Sequence, residues 1–138
     1  MKRRDFIRTG VAGGLLTGLA PLAGAGTDPL ESPLAGGVFY TAAHPGRWAR
    51  KVGGHAPRIT TAGGRVKVVT KHGMHGYKHY IVKHQLLDAD FKLIGERMFD
   101  PDKDEAESEY ALPAGYKGRI YALSLCNKHD LWVTAAEV

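Results

Sequence analysis

Apolar and polar residues change places every one or two positions over much of the chain, and beyond residue 37 no long apolar pattern with the 3.6-residue period of a helix appears. Short runs rich in β-branched and aromatic residues occupy 37–41, 65–70, 78–87, 91–99, 108–112, 118–125 and 131–135. Between them stand Gly63-Gly64, Asp88-Ala89-Asp90, Pro101-Asp102 and Pro113-Ala114-Gly115, residues whose backbone preferences favour turns. About seven strands at this spacing predict an all-β domain, an immunoglobulin-like β-sandwich of antiparallel strands. In the run ending at Leu125, Ile120 and Ala122 fall on one face and Tyr121, Leu123 and Leu125 on the other. Both faces are apolar, which predicts an inner strand covered on two sides.

Residues 1–25 break from this pattern. Lys2, Arg3, Arg4 and Arg8 precede or flank a weakly apolar stretch from Val11 to Leu22, followed by the small residues Ala23-Gly24-Ala25. A charged head, a short apolar middle and small residues at the end make a secretory signal, and Arg3-Arg4 followed by Phe6 mark the twin-arginine type. The apolar stretch is shorter than the ~20 residues that span a bilayer, so no stable membrane span is expected after cleavage at Ala25. The expected location is periplasmic, reached by export of the folded protein. Residues 26–37, rich in Pro, Gly and Ala without periodicity, are expected to form a flexible lead-in, and 38–138 the folded domain.

Length and composition allow one domain of ordinary character, with 138 residues, 43% hydrophobic and 24% charged. The formal charge of +5 suggests nucleic acid only at first sight. Of nineteen basic and fourteen acidic residues, four and one lie in residues 1–25, which leaves +2 on the remainder and no basic helix or long Lys/Arg run. A DNA or RNA partner is therefore not expected. The single cysteine, Cys126, excludes a disulfide framework and any four-cysteine metal site within one chain.

Candidate chemistry gathers around that cysteine. Cys126-Asn127-Lys128-His129 sets a thiol and an imidazole three residues apart in a turn before Leu131-Trp132, a spacing that lets both point at one centre. A second cluster, His72-Gly73-Met74-His75-Gly76-Tyr77-Lys78-His79, and His55 in Gly54-His55-Ala56-Pro57 add imidazoles. His44 and His84 read as structural, and Trp132 as core packing.

Taken in order, His55-Ala56-Pro57, His72-Gly73-Met74, His79-Tyr80-Ile81 and Cys126-Asn127-Lys128-His129-Asp130-Leu131-Trp132 resemble the motifs of the desulfoferrodoxin (neelaredoxin) family of superoxide reductases. More loosely the likeness runs from about Val38 through Pro45-Gly46-Arg47-Trp48 to the C-terminus. The resemblance implies one iron (Fe2+/Fe3+) per chain held by His55, His72, His79, His129 and Cys126, and one-electron reduction of superoxide to hydrogen peroxide. It also implies a small soluble electron-donor protein as partner and a homo-oligomeric assembly. The interval from His72 to His79 looks one residue longer than the family pattern, so His75 stands as an alternative to His72, although Met74 preserves the His-x-Met arrangement. Members of the family carry a glutamate and a lysine just before the first histidine ligand; here Gly53 and Gly54 stand there, and Lys51 is the candidate to draw in superoxide and deliver protons. Two other classes use the same ligands: a non-catalytic iron or electron-transfer module, and a zinc-stabilised binding domain.

Overall fold

In the computed structural model, which describes residues 26–138, strands form where β-branched residues alternate with polar ones. The signal read over residues 1–25 lies outside the described residues. β1 (Arg58–Ala62) and β2 (Arg65–Val69) are joined by Gly63 and Gly64, whose φ angles of 56° and 76° are both left-handed. A two-residue hairpin turn that matches strand twist needs that pair of conformations. β5 (Glu107–Ala111) pairs with the other edge of β2, giving a three-stranded sheet β1-β2-β5. The second sheet is β4-β3-β6-β7, built from β3 (Ile81–Leu87), β4 (Leu93–Met98), β6 (Arg119–Cys126) and β7 (Asp130–Glu137). Every strand pairing is antiparallel.

The core lies between the sheets. In β2, Val66 and Val68 point inward while Arg65 and Lys67 face solvent, Lys67 pairing with Glu107 at 2.8 Å. Val66, Val68 and Tyr110 of one sheet meet Leu86, Ile120 and Ala122 of the other, and each fully buried aliphatic side chain contributes about 2 kcal/mol. Gly95 in β4 lets the Tyr110 ring lie directly on the strand backbone, in space a Cβ would occupy. A polar island interrupts the hydrocarbon: His84 is fully buried, its Nε2 2.8 Å from Thr70 Oγ1 and its Nδ1 2.8 Å from Ser108 Oγ. Thr70 Oγ1 also lies 2.8 Å from Ser124 Oγ, so four strands or strand ends share one network. The opposite face of β6 is apolar as expected, with Tyr121 and Leu123 lining a groove beside Pro29, Leu30, Phe39 and Phe91.

One expectation needs correction. Residues 37–41 do not form a strand; they make only isolated bridges, Ala35 with Phe39 and Tyr40 with Trp132. The seventh strand is instead β1, where only Ile59 is partly covered and the alternation of apolar and polar residues is weak. Residues 26–37, read as a lead-in, include a 3-10 turn at Pro29–Glu31, capped by Asp28, whose Oδ2 also accepts from Arg119 Nη2 at 2.7 Å. No helix among the described residues is long and apolar enough to cross a membrane.

Candidate metal centre

Three stretches of chain deliver five donor side chains to one end of the sandwich. A 3-10 turn over Gly46–Lys51 runs into the one-turn helix α1 (Val52–His55). At its end His55 Nδ1 donates to the Lys51 carbonyl at 2.9 Å, which fixes the tautomer and leaves the lone pair on Nε2. His72 and His79 come from the loop between β2 and β3, which is shaped by the 3-10 turn Gly76–Lys78 and by a bridge between His75 and His79. Asn127 ties this loop to the β6–β7 turn: Oδ1 accepts from Tyr80 N at 3.0 Å, and Nδ2 donates to the carbonyls of Tyr77 and Lys78 at 3.2 and 3.1 Å. Cys126 ends β6 and His129 lies in the turn, where its carbonyl accepts from Trp132 Nε1 at 2.8 Å.

The donor atoms converge. All five lie within 4.8 Å of one another. His55 Nε2 is 3.0 Å from His129 Nδ1, which is 3.1 Å from His79 Nε2, which is 3.1 Å from His72 Nε2. Rings adjacent in this circuit stand edge to face, with centroids 4.5–4.8 Å apart and interplanar angles of 69–88°, and the fourth side, His72 to His55, obeys the same rule. Across the circuit His55 and His79 are 6.2 Å apart and only 25° from parallel. This is a square. Three of its edges measure 3.0–3.1 Å between nitrogens, and a regular square of that edge has its corners about 2.1–2.2 Å from the centre, the length of a bond from imidazole nitrogen to a first-row metal. Cys126 Sγ stands beside it, 3.6 Å from His129 Nδ1 and 3.9 Å from His72 Nε2. The residues therefore fit a single metal ion.

Protonation favours the same use. Burial is the first cause of depression at all four rings, holding His55 and His79 down to about 4 and lowering His72 and His129. Neighbouring imidazoles add to the effect at His55, His72 and His79, and the Lys51 ammonium lowers both His72 and His129. Neutral rings with free lone pairs are what a cation requires. Cys126 and His55 are buried, while His72, His79 and His129 are only half-covered. The site thus has a closed side at the sulfur and a side that reaches solvent.

The five residues expected from the resemblance are thus the five that meet. His75 is exposed and outside the cluster, its imidazole folded against the backbone of Gly73. Lys51 is exposed and near enough for its charge to be felt by two of the rings. His44 is a surface residue 2.7 Å from Glu31, and His84 belongs to the core network. Trp132 is fully buried, as core packing predicts. Sequence reasoning missed Asp130. Its carboxylate Oδ2 accepts from Trp48 Nε1 at 2.9 Å and from Arg47, and no local spacing announces a contact across so much chain.

The solved structures that resemble this one agree on the architecture. A superoxide reductase (neelaredoxin) from Ignicoccus hospitalis matches with a TM-score of 0.62 and 25% identity, over 73% of this chain and 94% of that one. The fold is that of the superoxide reductases. The enzyme from Treponema pallidum matches over 62% of this chain and 69% of its own (TM-score 0.52, 23% identity), and the one-iron superoxide reductase from Giardia intestinalis over 61% and 97% (0.53, 21%). No family model matches the chain, and no curated protein matches it. Superoxide-reductase neighbours and a cluster of four histidines and a cysteine together support a metal site of the iron type.

Proposed function

We propose that this chain is a superoxide reductase with one mononuclear non-haem iron, held by His55, His72, His79, His129 and Cys126. The observation that carries the reading is the square of imidazole nitrogens with a thiol sulfur beside it, set in a sandwich shared with superoxide reductases. A square does not suit structural zinc, which takes four ligands in a tetrahedron. Iron in such a site supplies one electron to superoxide, which with two protons becomes hydrogen peroxide. The residues do the rest. Burial and the neighbouring charges keep the four rings unprotonated and ready to ligate, and the covered sulfur is shielded from oxidation while the imidazole side admits a small anion.

Lys51, four residues before His55, is the proposed source of attraction and of protons in place of the usual lysine of the family. Its ammonium acts on His72 and His129, so a superoxide anion entering between them meets the same field. Lys51→Met should lower the second-order rate with superoxide several-fold at low ionic strength and flatten its salt dependence; an unchanged salt profile removes Lys51 from the mechanism. Residues 1–25 are read as the twin-arginine signal that exports the loaded protein to the periplasm, where a small soluble redox protein re-reduces the iron.

The deciding experiment loads the chain anaerobically with Fe2+, oxidises it, and looks for a thiolate-to-Fe(III) absorption band. Pulse-generated superoxide is then mixed with the reduced protein. Stoichiometric hydrogen peroxide without dioxygen supports the proposal. A band that forms without any reaction faster than the metal-free protein identifies an electron-transfer module. Selective zinc binding with no iron band identifies a binding domain.

A further inference from the structure

Asp130 lies between the last residue of the imidazole square and the rest of β7, and its φ of 66° is left-handed, one of two such values at non-glycine positions among the described residues. Glycine takes that conformation freely, and Asp or Asn only with some strain. Asp tolerates that conformation better than most side chains, so what its carboxylate touches decides whether it has a role. Its carboxylate Oδ2 accepts from Arg47 Nη2 at 2.5 Å and from Trp48 Nε1 at 2.9 Å, residues 83 and 82 positions earlier in the chain. Both partners sit in the Gly46–Lys51 turn.

Much depends on that turn. The Trp48 indole meets His129 edge to face at 4.7 Å and 85°, while the Arg47 guanidinium lies over the indole, 5.0 Å from a ring centroid. Three residues further on, the Lys51 carbonyl holds His55 Nδ1. The turn therefore touches His129 through Trp48 and orients His55 through Lys51, and those two corners of the square are 3.0 Å apart.

We propose that Asp130 is a positioning residue whose single carboxylate oxygen pins the Arg47–Trp48 turn to the loop of His129, holding His55 and His129 in register before a metal arrives. The inference rests on reading the square as a metal site. It predicts that an acceptor oxygen on the side chain, not the backbone shape, is what matters at position 130.

Two variants of the full chain separate these. Asp130→Gly keeps the left-handed backbone and removes both hydrogen bonds; Asp130→Asn keeps an acceptor oxygen for Trp48 and removes the ion pair. Fe2+ affinity, measured anaerobically by competition with a chelator, should fall about tenfold or more in the glycine variant, the scale of lost outer-sphere support, and recover most of that loss in the asparagine variant. Because the chain has two tryptophans, the indole protons are separable by NMR. In metal-free protein the Trp48 indole proton should exchange with solvent faster in Asp130→Gly, while that of Trp132 stays unchanged. Arg47→Gln, acting from the other end, should weaken Fe2+ binding in the same direction. A glycine variant that binds Fe2+ as tightly as the parent, with Trp48 still protected, overturns the proposal. A parent chain that binds no Fe2+ defeats the enzymatic reading instead, and the indole exchange in metal-free protein still decides whether Asp130 pins the turn.

Discussion

Burial keeps imidazoles neutral at two places in this molecule, with different neighbouring charges adding to it. His84 is surrounded by hydroxyls of Thr70 and Ser108 that satisfy both ring nitrogens, and burial, aided by Arg97, holds it down to about 4 from an ordinary 6.5. Unfolding exposes it to water, where it takes up a proton below 6.5. Its contribution to stability is therefore complete above pH 6.5 and is lost as the pH falls toward 4, on the order of 3 kcal/mol over the window. Urea midpoints of metal-free protein should fall between pH 7 and 4.5, and His84→Gln should flatten that slope; an equally steep variant refutes the assignment. At the square, the choice between His72 and His75 is a choice between a half-buried ring 3.1 Å from His79 and an exposed ring on Gly73. Accordingly His72→Ala should cost at least about tenfold in Fe2+ affinity and His75→Ala little, as read by chelator competition. The donors were legible in the sequence through the resemblance of their ordered motifs to a known family, whereas spacing alone left His75 open beside His72. The pairing of Asp130 with Arg47 was not, since only folding brings them together.

Elements were legible where burial imposes a pattern. β2 reads Arg-Val-Lys-Val-Val, with two buried valines facing inward, and β6 showed two apolar faces because one lies between the sheets and the other lines the groove at Tyr121 and Leu123. β1 was missed because four of its five residues face solvent, so no alternation marks it; the signal that did exist was Gly63-Gly64, a turn that requires a strand on each side. The converse error, a strand at 37–41, took an apolar run for a strand when it makes only isolated bridges, Phe39 with Ala35 and Tyr40 with Trp132, and leaves Val38 exposed. Glycines at two elements should respond differently to the same methyl group. At Gly63 and Gly64 nothing lies within 4 Å of an added Cβ, so alanine costs only the left-handed strain, about 1 kcal/mol, and Gly63→Asn should cost less. At Gly95 the Cβ overlaps the Tyr110 ring, and overpacking of about 1–3 kcal/mol is expected. Urea denaturation of the three alanine variants would show whether Gly95→Ala is the most damaging, as the contact requires.

Across the whole molecule, the square draws on a helix that leads into β1, a loop between β2 and β3, and the β6–β7 turn, so an ion there ties both sheets together at one end. Ligation by the native state alone stabilises it by about 2.7 kcal/mol at a hundredfold excess over the dissociation constant. For a domain of this size, that raises the melting temperature by roughly 10 °C or more. Scanning calorimetry with and without a chelator should show that difference; coincident curves would mean the donors do not hold a metal in solution. The opposite end has its own attachment. Asp28 grips Arg119 at the start of β6, and Cys126 closes the same strand, eight residues that extend roughly 23 Å. Anything fused ahead of Asp28, whether a leader kept in place or a tag added in the laboratory, would hold the molecule by its far pole and leave the reactive pole facing outward, open to whatever diffuses past.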